Sequence, residues 1–189
     1  MPQISMSKRS QQELIRLSRE VIEVILRGEQ DSYKQECNNS ELQEKLGCFV
    51  TLKKNGELRG CVGLFSSDYP LWRTVQAVSV SSAFQDQRFE PVSLEELPDL
   101  EIEISILSPM QEISNPLEEI ELGRDGIVIT DKGGGGTFLP QVATEQGWTL
   151  EQFLGYCSRD KAGLGWDGWK SPTAKIFTYT TTIIEEEKE

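Results

Sequence analysis

Arg59 and Cys61, two positions apart in Leu58-Arg59-Gly60-Cys61-Val62-Gly63, are the residues best suited to chemistry. Side chains two apart on a strand share a face, and a guanidinium about 7 Å from a thiol there favours the nucleophilic thiolate. A strand is expected because Cys48 to Lys54 and Glu57 to Phe65 flank Asn55-Gly56, the dipeptide of a type I′ hairpin turn. With Asn55 and Gly56 as the loop, Lys54 pairs with Glu57, Leu52 with Arg59, Val50 with Cys61 and Cys48 with Gly63. Cys48 then lies diagonal to Cys61, and a bridge fits this register, although a cytosolic setting disfavours it. Gly60 and Gly63 bare the backbone on either side, as happens where a ligand or another chain segment approaches. The bland alternative is that Cys61 is a small core hydrophobe and the glycines mark a bulge.

Three further clusters carry charge or bare backbone. Asp86, Arg88 and Phe89 follow a helical stretch, a usual place for groups at the mouth of a site, although Arg88 can equally pair with Asp86 or Glu90 on the surface. The run Lys132-Gly133-Gly134-Gly135-Gly136-Thr137 resembles an anion cradle, but a phosphate loop needs Gly-Lys-Ser/Thr opening a helix, and here Phe138-Leu139-Pro140 follows. A flexible loop between extended segments is expected there. Lys161, beyond a helix end and near Trp166, Asp167 and Trp169, is a candidate proton carrier or ligand contact, with the tryptophans as packing anchors.

The elements that position these residues are legible from periodicity. Leu14, Leu17, Val21, Val24 and Ile25 mark a helix from Ser10 to Arg27, with Ser10 and Glu13 as a capping box and Gly28 as its stop. A shorter helix is expected from Ser40, with Gln43 three residues on, to Gly47. Pro70 begins a third that reaches about Gln85 and whose later turns are small: Ala77, Ser79, Ser81, Ser82 and Ala83. Leu100, Ile102, Ile104 and Ile106 alternate with Glu101, Glu103 and Ser105, a strand with one wet face. Asp125-Gly126 introduces a strand at Ile127 to Thr130. Thr149 with Gln152 caps a helix closed by Gly163, and Lys175 to Ile184 is β-rich before a solvated Glu tail. Strands and helices are interspersed and the clearest strand pair is antiparallel, so an α+β fold is expected, with an antiparallel sheet flanked by helices. The chain reads as a single domain over 1–189, with the Pro- and Gly-rich stretch at about 108–148 as a smaller lobe.

Composition narrows the functional classes. The 189 residues hold 31 Asp+Glu, 19 Lys+Arg and no His, a formal charge of −12. Without His there is no Ser-His-Asp triad, no Cys-His dyad and no imidazole proton shuttle. The acidic balance disfavours nucleic acid and anionic membrane as partners. No run of 18 apolar residues and no leader pattern occurs, so a cytoplasmic protein is expected. Cys37, Cys48, Cys61 and Cys157 lack metal-ligand spacing, and neither a metal nor a cofactor is expected.

Several ordered motifs together resemble the AMME syndrome candidate gene protein family, whose signature is similar to the hexapeptide Leu58 to Gly63. Phe49-Val50-Thr51-Leu52 precedes it, and Ala83-Phe84-Gln85-Asp86-Gln87-Arg88-Phe89, Ile102 to Pro109, Leu139-Pro140-Gln141-Val142-Ala143 and Lys161-Ala162-Gly163-Leu164 follow. The likeness runs from about Leu14 to Glu186. It implies an α+β AMME chromosomal region domain with a small second lobe and a site in the cleft between them. It also implies association with a Memo-like protein and a radical-SAM enzyme, and adds Gln141 to the candidate contacts. It supplies no reaction. Gln87 stands where the family commonly has Pro, and the four-glycine run is looser than usual.

Three roles for the hexapeptide follow. In a binding or adaptor module, Arg59, Gly60 and Gly63, with Asp86, Arg88, Phe89, Gln141 and Lys161, dock a partner or an unidentified small ligand. In an enzyme or enzyme subunit, Cys61 is the thiolate, Arg59 stabilises its charge, and Asp86 or Lys161 moves protons. In a purely structural role, the strand packs under the third helix, whose small residues demand glycine opposite.

Overall fold

The computed structural model describes residues 4–31 and 36–187. The chain divides into two compact units, one from Ser5 to Leu107 completed by the residues from Thr182 onward, the other from Ser108 to Thr181. The strand pairings within them are antiparallel and helices cover sheet faces, so the fold is α+β. Among the described residues no helix is long and apolar enough to cross a membrane.

In the N-terminal unit, helix α1 spans Lys8–Leu26 and buries Leu14, Leu17 and Ile22. Its cap is Ser7 rather than Ser10: the Ser7 hydroxyl accepts from the Ser10 amide, and the helix begins a turn earlier than expected. Glu13, freed from the capping role, accepts from the Asn39 side-chain Nδ2 at 2.8 Å. Gly28, at φ +71°, ends the helix. The helix expected from Ser40 is a single 3-10 turn, Ser40–Leu42, capped by Asn39. The Gln43 side chain turns back onto the carbonyls of Cys37 and Asn39, so it does not extend the helix.

Strands β1 (Cys48–Lys54) and β2 (Glu57–Leu64) form the expected hairpin, with Asn55 at φ 54° and Gly56 at φ 79° as the type I′ turn requires. The other edge of β1 pairs with β3 (Leu100–Leu107). Helix α2 runs Leu71–Phe84, with Pro70 at its cap, and packs with α1 on this sheet. Val50, Leu52, Ile102, Ile104 and Ile106 are no more than 2% exposed on the helix-covered face. Burial of each such side chain contributes about 1.5–3 kcal/mol.

The central unit holds β4 (Gln111–Ile113), the short helix α3 (Pro116–Glu119), β5 (Asp125–Asp131) and β6 (Gly134–Phe138), followed by α4 (Pro140–Gln146) and α5 (Leu150–Tyr156). The glycine run is not a flexible loop: Gly134, Gly135 and Gly136 are rungs of β6 opposite Asp131, Thr130 and Ile129. The reason is clearance, since a Cβ on Gly136 would lie 2.3 Å from the Lys161 carbonyl carbon and one on Gly134 2.2 Å from the Ala162 oxygen. Thr149 and Gln152 form the capping box of α5, which continues through a wide π-type turn, Cys157–Lys161, to Gly163 at φ +71°. Ile127, Ile129, Phe138, Phe153, Leu154 and Cys157 form the core.

Strand β7 (Lys175–Glu185) starts beside β5 and β4 in the central unit, and its last residues belong to the N-terminal unit. The Glu tail is not all solvated: Glu186 receives two bonds from Arg19, at 2.6 and 2.5 Å, and one from the Ile102 amide. Residues 188–189 lie outside the described residues.

Candidate functional site

Strand β2 does not keep the register of a plain hairpin. Lys53 pairs with Leu58 but Leu52 pairs with Gly60, so Arg59 is an extra residue, a β-bulge. Beyond the bulge Cys61 sits opposite Thr51, not Val50, and Gly63 opposite Phe49, not Cys48. The Thr51 hydroxyl donates to the Cys61 sulfur at 3.3 Å. Arg59 turns to the other face, where Glu96 accepts from its Nε and Nη2, both at 3.0 Å, and from Lys54 Nζ at 3.1 Å. Thr51 and Lys54, three apart on β1, mark opposite faces of the sheet. Arg59 and Cys61 therefore do not share a face, because the inserted residue reverses the alternation. Cys48, fully buried on the helix-covered face, cannot bridge to Cys61, and all four cysteines are free.

The outer margin of Cys61 is filled from the end of α2. Its amide donates to Asp86 Oδ2 at 2.9 Å and its carbonyl accepts from Arg88 Nη2 at 3.1 Å. Arg88 also binds both Asp86 oxygens, at 2.9 and 2.7 Å, so the ion pair stands in for the missing neighbouring strand. One rung on, the Ser82 hydroxyl accepts from the Val62 amide and donates to the Val50 carbonyl, entering the β1–β2 ladder. This approach requires glycine at position 60, where a Cβ would lie 2.2 Å from the Ser82 carbonyl oxygen.

Both carboxylates are held ionised. The Glu96 carboxyl is lowered to about 2, first by the Arg59 guanidinium, then by the Ser93 amide and Lys54. Asp86 lies well below the usual carboxylate range, chiefly through Arg88, with the Cys61 and Arg88 amides adding to it. The Arg59 side chain is 15% exposed and that of Arg88 56%, so only the second presents its charge to solvent. Phe89 supports it, with the Arg88 guanidinium 5.4 Å from the ring centre.

The structure thus gathers Gly60, Cys61, Asp86, Arg88 and Phe89 along one strand margin. Gly63 lies further along β2, where the Phe49 ring covers the space a Cβ would take. Gln141, on the first turn of α4, and Lys161, whose ammonium lies 5.5 Å from the Phe138 ring centre, belong to the central unit. Three residues that organise the strand were not among the sequence candidates: Glu96, Ser82 and Thr51. Ser93 three residues before Glu96 is a capping-box spacing that would have drawn attention to Glu96, and the Ser93 amide does donate to that carboxylate at 3.0 Å. The small residues late in the third helix did point to a close approach at Ser82 opposite glycine, whereas nothing local signals its hydroxyl's place in the ladder or the role of Thr51.

The sequence matches the AMMECR1 family over residues 15–184. A protein of Thermococcus gammatolerans is 39% identical over 183 residues, covering 92% of this chain and 89% of its own. Protein NEQ441 of Nanoarchaeum equitans is 35% identical over 180 residues, 92% of this chain and 99% of its own. A crystal structure of the uncharacterized protein PH0010 from Pyrococcus horikoshii is similar at a TM-score of 0.78 and 38% identity, covering 92% of this chain and 90% of that one.

Proposed function

The chain belongs to the AMMECR1 family, and from that premise we propose that it is a cytoplasmic binding or adaptor module whose docking surface is the outer margin of β2. The observation that carries this reading is that the charged groups flanking Cys61 are already engaged: Arg59 and Lys54 on Glu96, Arg88 on Asp86. General acid–base work needs a group free to exchange a proton near neutral pH, whereas both carboxylates here are stabilised as anions. A rigid margin with a half-exposed arginine backed by an aromatic ring suits recognition, in which ordering is done before the partner arrives. Leu58 and Leu64, 44% and 47% exposed, give that margin an apolar contribution at each end of the hexapeptide.

The partners proposed are the Memo-like and radical-SAM proteins that the family resemblance implies. Calorimetric titration of each, from the same organism, into the native chain tests this. Arg88→Ala and Leu58→Asp should weaken binding while Cys61→Ser leaves it intact. The reading fails if Cys61→Ser alone abolishes an activity of the reconstituted set while Arg88→Ala does not. That pattern belongs to the thiolate alternative, in which the Thr51 hydroxyl, 3.3 Å from the sulfur, would position Cys61.

A further inference from the structure

Helix α2 carries a second surface, which meets the β2 margin at Leu64. Small-ligand sites are clefts of roughly 300–1,000 Å³, and here a groove of 530 Å³ runs along α2 between α1 and the end of β2, lined by Val21, Leu64, Tyr69, Trp72, Arg73 and Val80 among others. Its walls are apolar, with Tyr69 62% and Leu64 47% exposed. In a chain with 31 acidic residues, no Asp or Glu among the described residues lines it. Its one cation, Arg73, is exposed and has no carboxylate partner among the described residues. The guanidinium lies 5.0 Å from the Trp72 ring centre, held by the indole face rather than by an acid. Trp72 is 6% exposed, and its Nε1–H has no acceptor among the described residues. A buried donor left unpaired is costly, so a second polar group is lacking a partner at this place.

We propose that this groove binds a small amphipathic anion, an apolar body against Val21, Leu64 and Val80 with a single carboxylate on Arg73. Charge decides the class of occupant. An acidic macromolecule is repelled at long range by a chain of charge −12, and a basic one finds no acid here to pair with. A small monoanion meets the one free guanidinium at little cost in repulsion. The inference does not rest on the docking role proposed for the β2 margin, with which the groove shares Leu64.

The test is a titration of the full chain with octanoate, octanol and octylammonium, followed by the Trp72 indole N–H and Ala77 amide resonances, the indole signal assigned with Trp72→Phe. Octanoate should saturate, with shifts concentrated at Trp72, Ala77 and Val80, and bind more tightly than the other two. Arg73→Glu should weaken octanoate by about tenfold, the scale of one charge-assisted contact. Arg73→Lys should retain most of the affinity. Ala77→Glu, which places an acid in the acid-free wall, should weaken it as Arg73→Glu does. Positions 73 and 77 are exposed, so both variants should unfold at the native temperature. The proposal is overturned if octanoate does not saturate, if octylammonium binds equally well, or if Arg73→Glu leaves the affinity unchanged.

Discussion

Strands β2 and β6 each carry glycine where another segment's backbone presses on them, and the pressing segments differ in kind. At β2 the visitor is the end of α2, which brings Ser82, Asp86 and Arg88 into the ladder and around the Cys61 peptide groups. At β6 it is the π-type turn after α5, and what it brings is backbone: the Lys161 and Ala162 peptides over Gly136 and Gly134. The hydroxyls that bond to that hairpin's backbone come from its own strand and from β7, Thr137 donating to the Ile127 carbonyl and Tyr179 to that of Phe138. The richer glycine run is therefore the less chemical one. Glycine reports clearance, and the chemistry of a glycine-bearing strand depends on what fills that clearance.

The largest effect that would separate the two hairpins is expected at Glu96. Glu96→Gln leaves Arg59 and Lys54 without their carboxylate and should cost about 3 kcal/mol in urea unfolding, as losing one partner of a mostly buried pair does. Its pH dependence has a definite sign. Because the folded carboxyl is lowered from 4.5 to about 2, the native chain holds this stabilisation in full above pH 4.5 and loses it as pH falls towards 2, while the variant lacks that slope. If both proteins show the same acid limb, the Arg59–Glu96 pair is not what steadies the β2 margin.

Clearance itself is tested next. Gly60→Ala and Gly136→Ala each force a methyl onto backbone atoms and should each cost about 2 kcal/mol, in the range of overpacking. Gly135→Ala is tight only against the Thr130 methyl, at 3.2 Å, which can give way, and meets the Ile129 carbonyl at an ordinary 3.6 Å. It should change stability by less than about 1 kcal/mol. Equal losses at all three positions would break the comparison, because the cost would then follow glycine content and not contact.

A smaller effect distinguishes what fills the clearance. Asp86→Ala leaves the Cys61 amide and Arg88 unpaired and should cost about 1 kcal/mol. Hydrogen exchange should accelerate at the Cys61 amide and stay unchanged at Thr137. Least in energy but most direct is native-state alkylation at pH 8: half-exposed Cys61 should label before Cys48 and Cys157, whose thiols burial pushes up to about 12. Labelling of Cys48 at the same rate would mean that the hairpin opens as a whole.

Much of the fold was legible because its signals are local. Asn55-Gly56 can serve only where two positive φ angles are needed, the alternation from Leu100 to Ile106 has one solution beside a core, and Thr149 with Gln152 caps a helix whatever surrounds it. Leu14 and Leu17 place the buried face of α1, although Ile22 completes it where Val21, Val24 and Ile25 were expected to, and its cap lies a turn earlier than Ser10. The hexapeptide could be picked out for attention, and so could Asp86 and Arg88, from residue types and order alone. Their arrangement could not. The bulge at Arg59 is held by partners distant in sequence, Glu96 on Arg59, 37 residues away, and Ser82 over Gly60, 22 residues away, and a one-residue shift sends the guanidinium and the thiol to opposite faces. In the same way Gly134 and Gly136 look like a loop until the peptides of Lys161 and Ala162 lie on them. Sequence by itself determined the β1–β2 hairpin, β3, β5, β7 and the helices α1, α2 and α5, since turn chemistry, capping and periodicity act over a few residues. Tertiary structure alone decided which side chains meet, because register and clearance are set by contacts between segments distant along the chain.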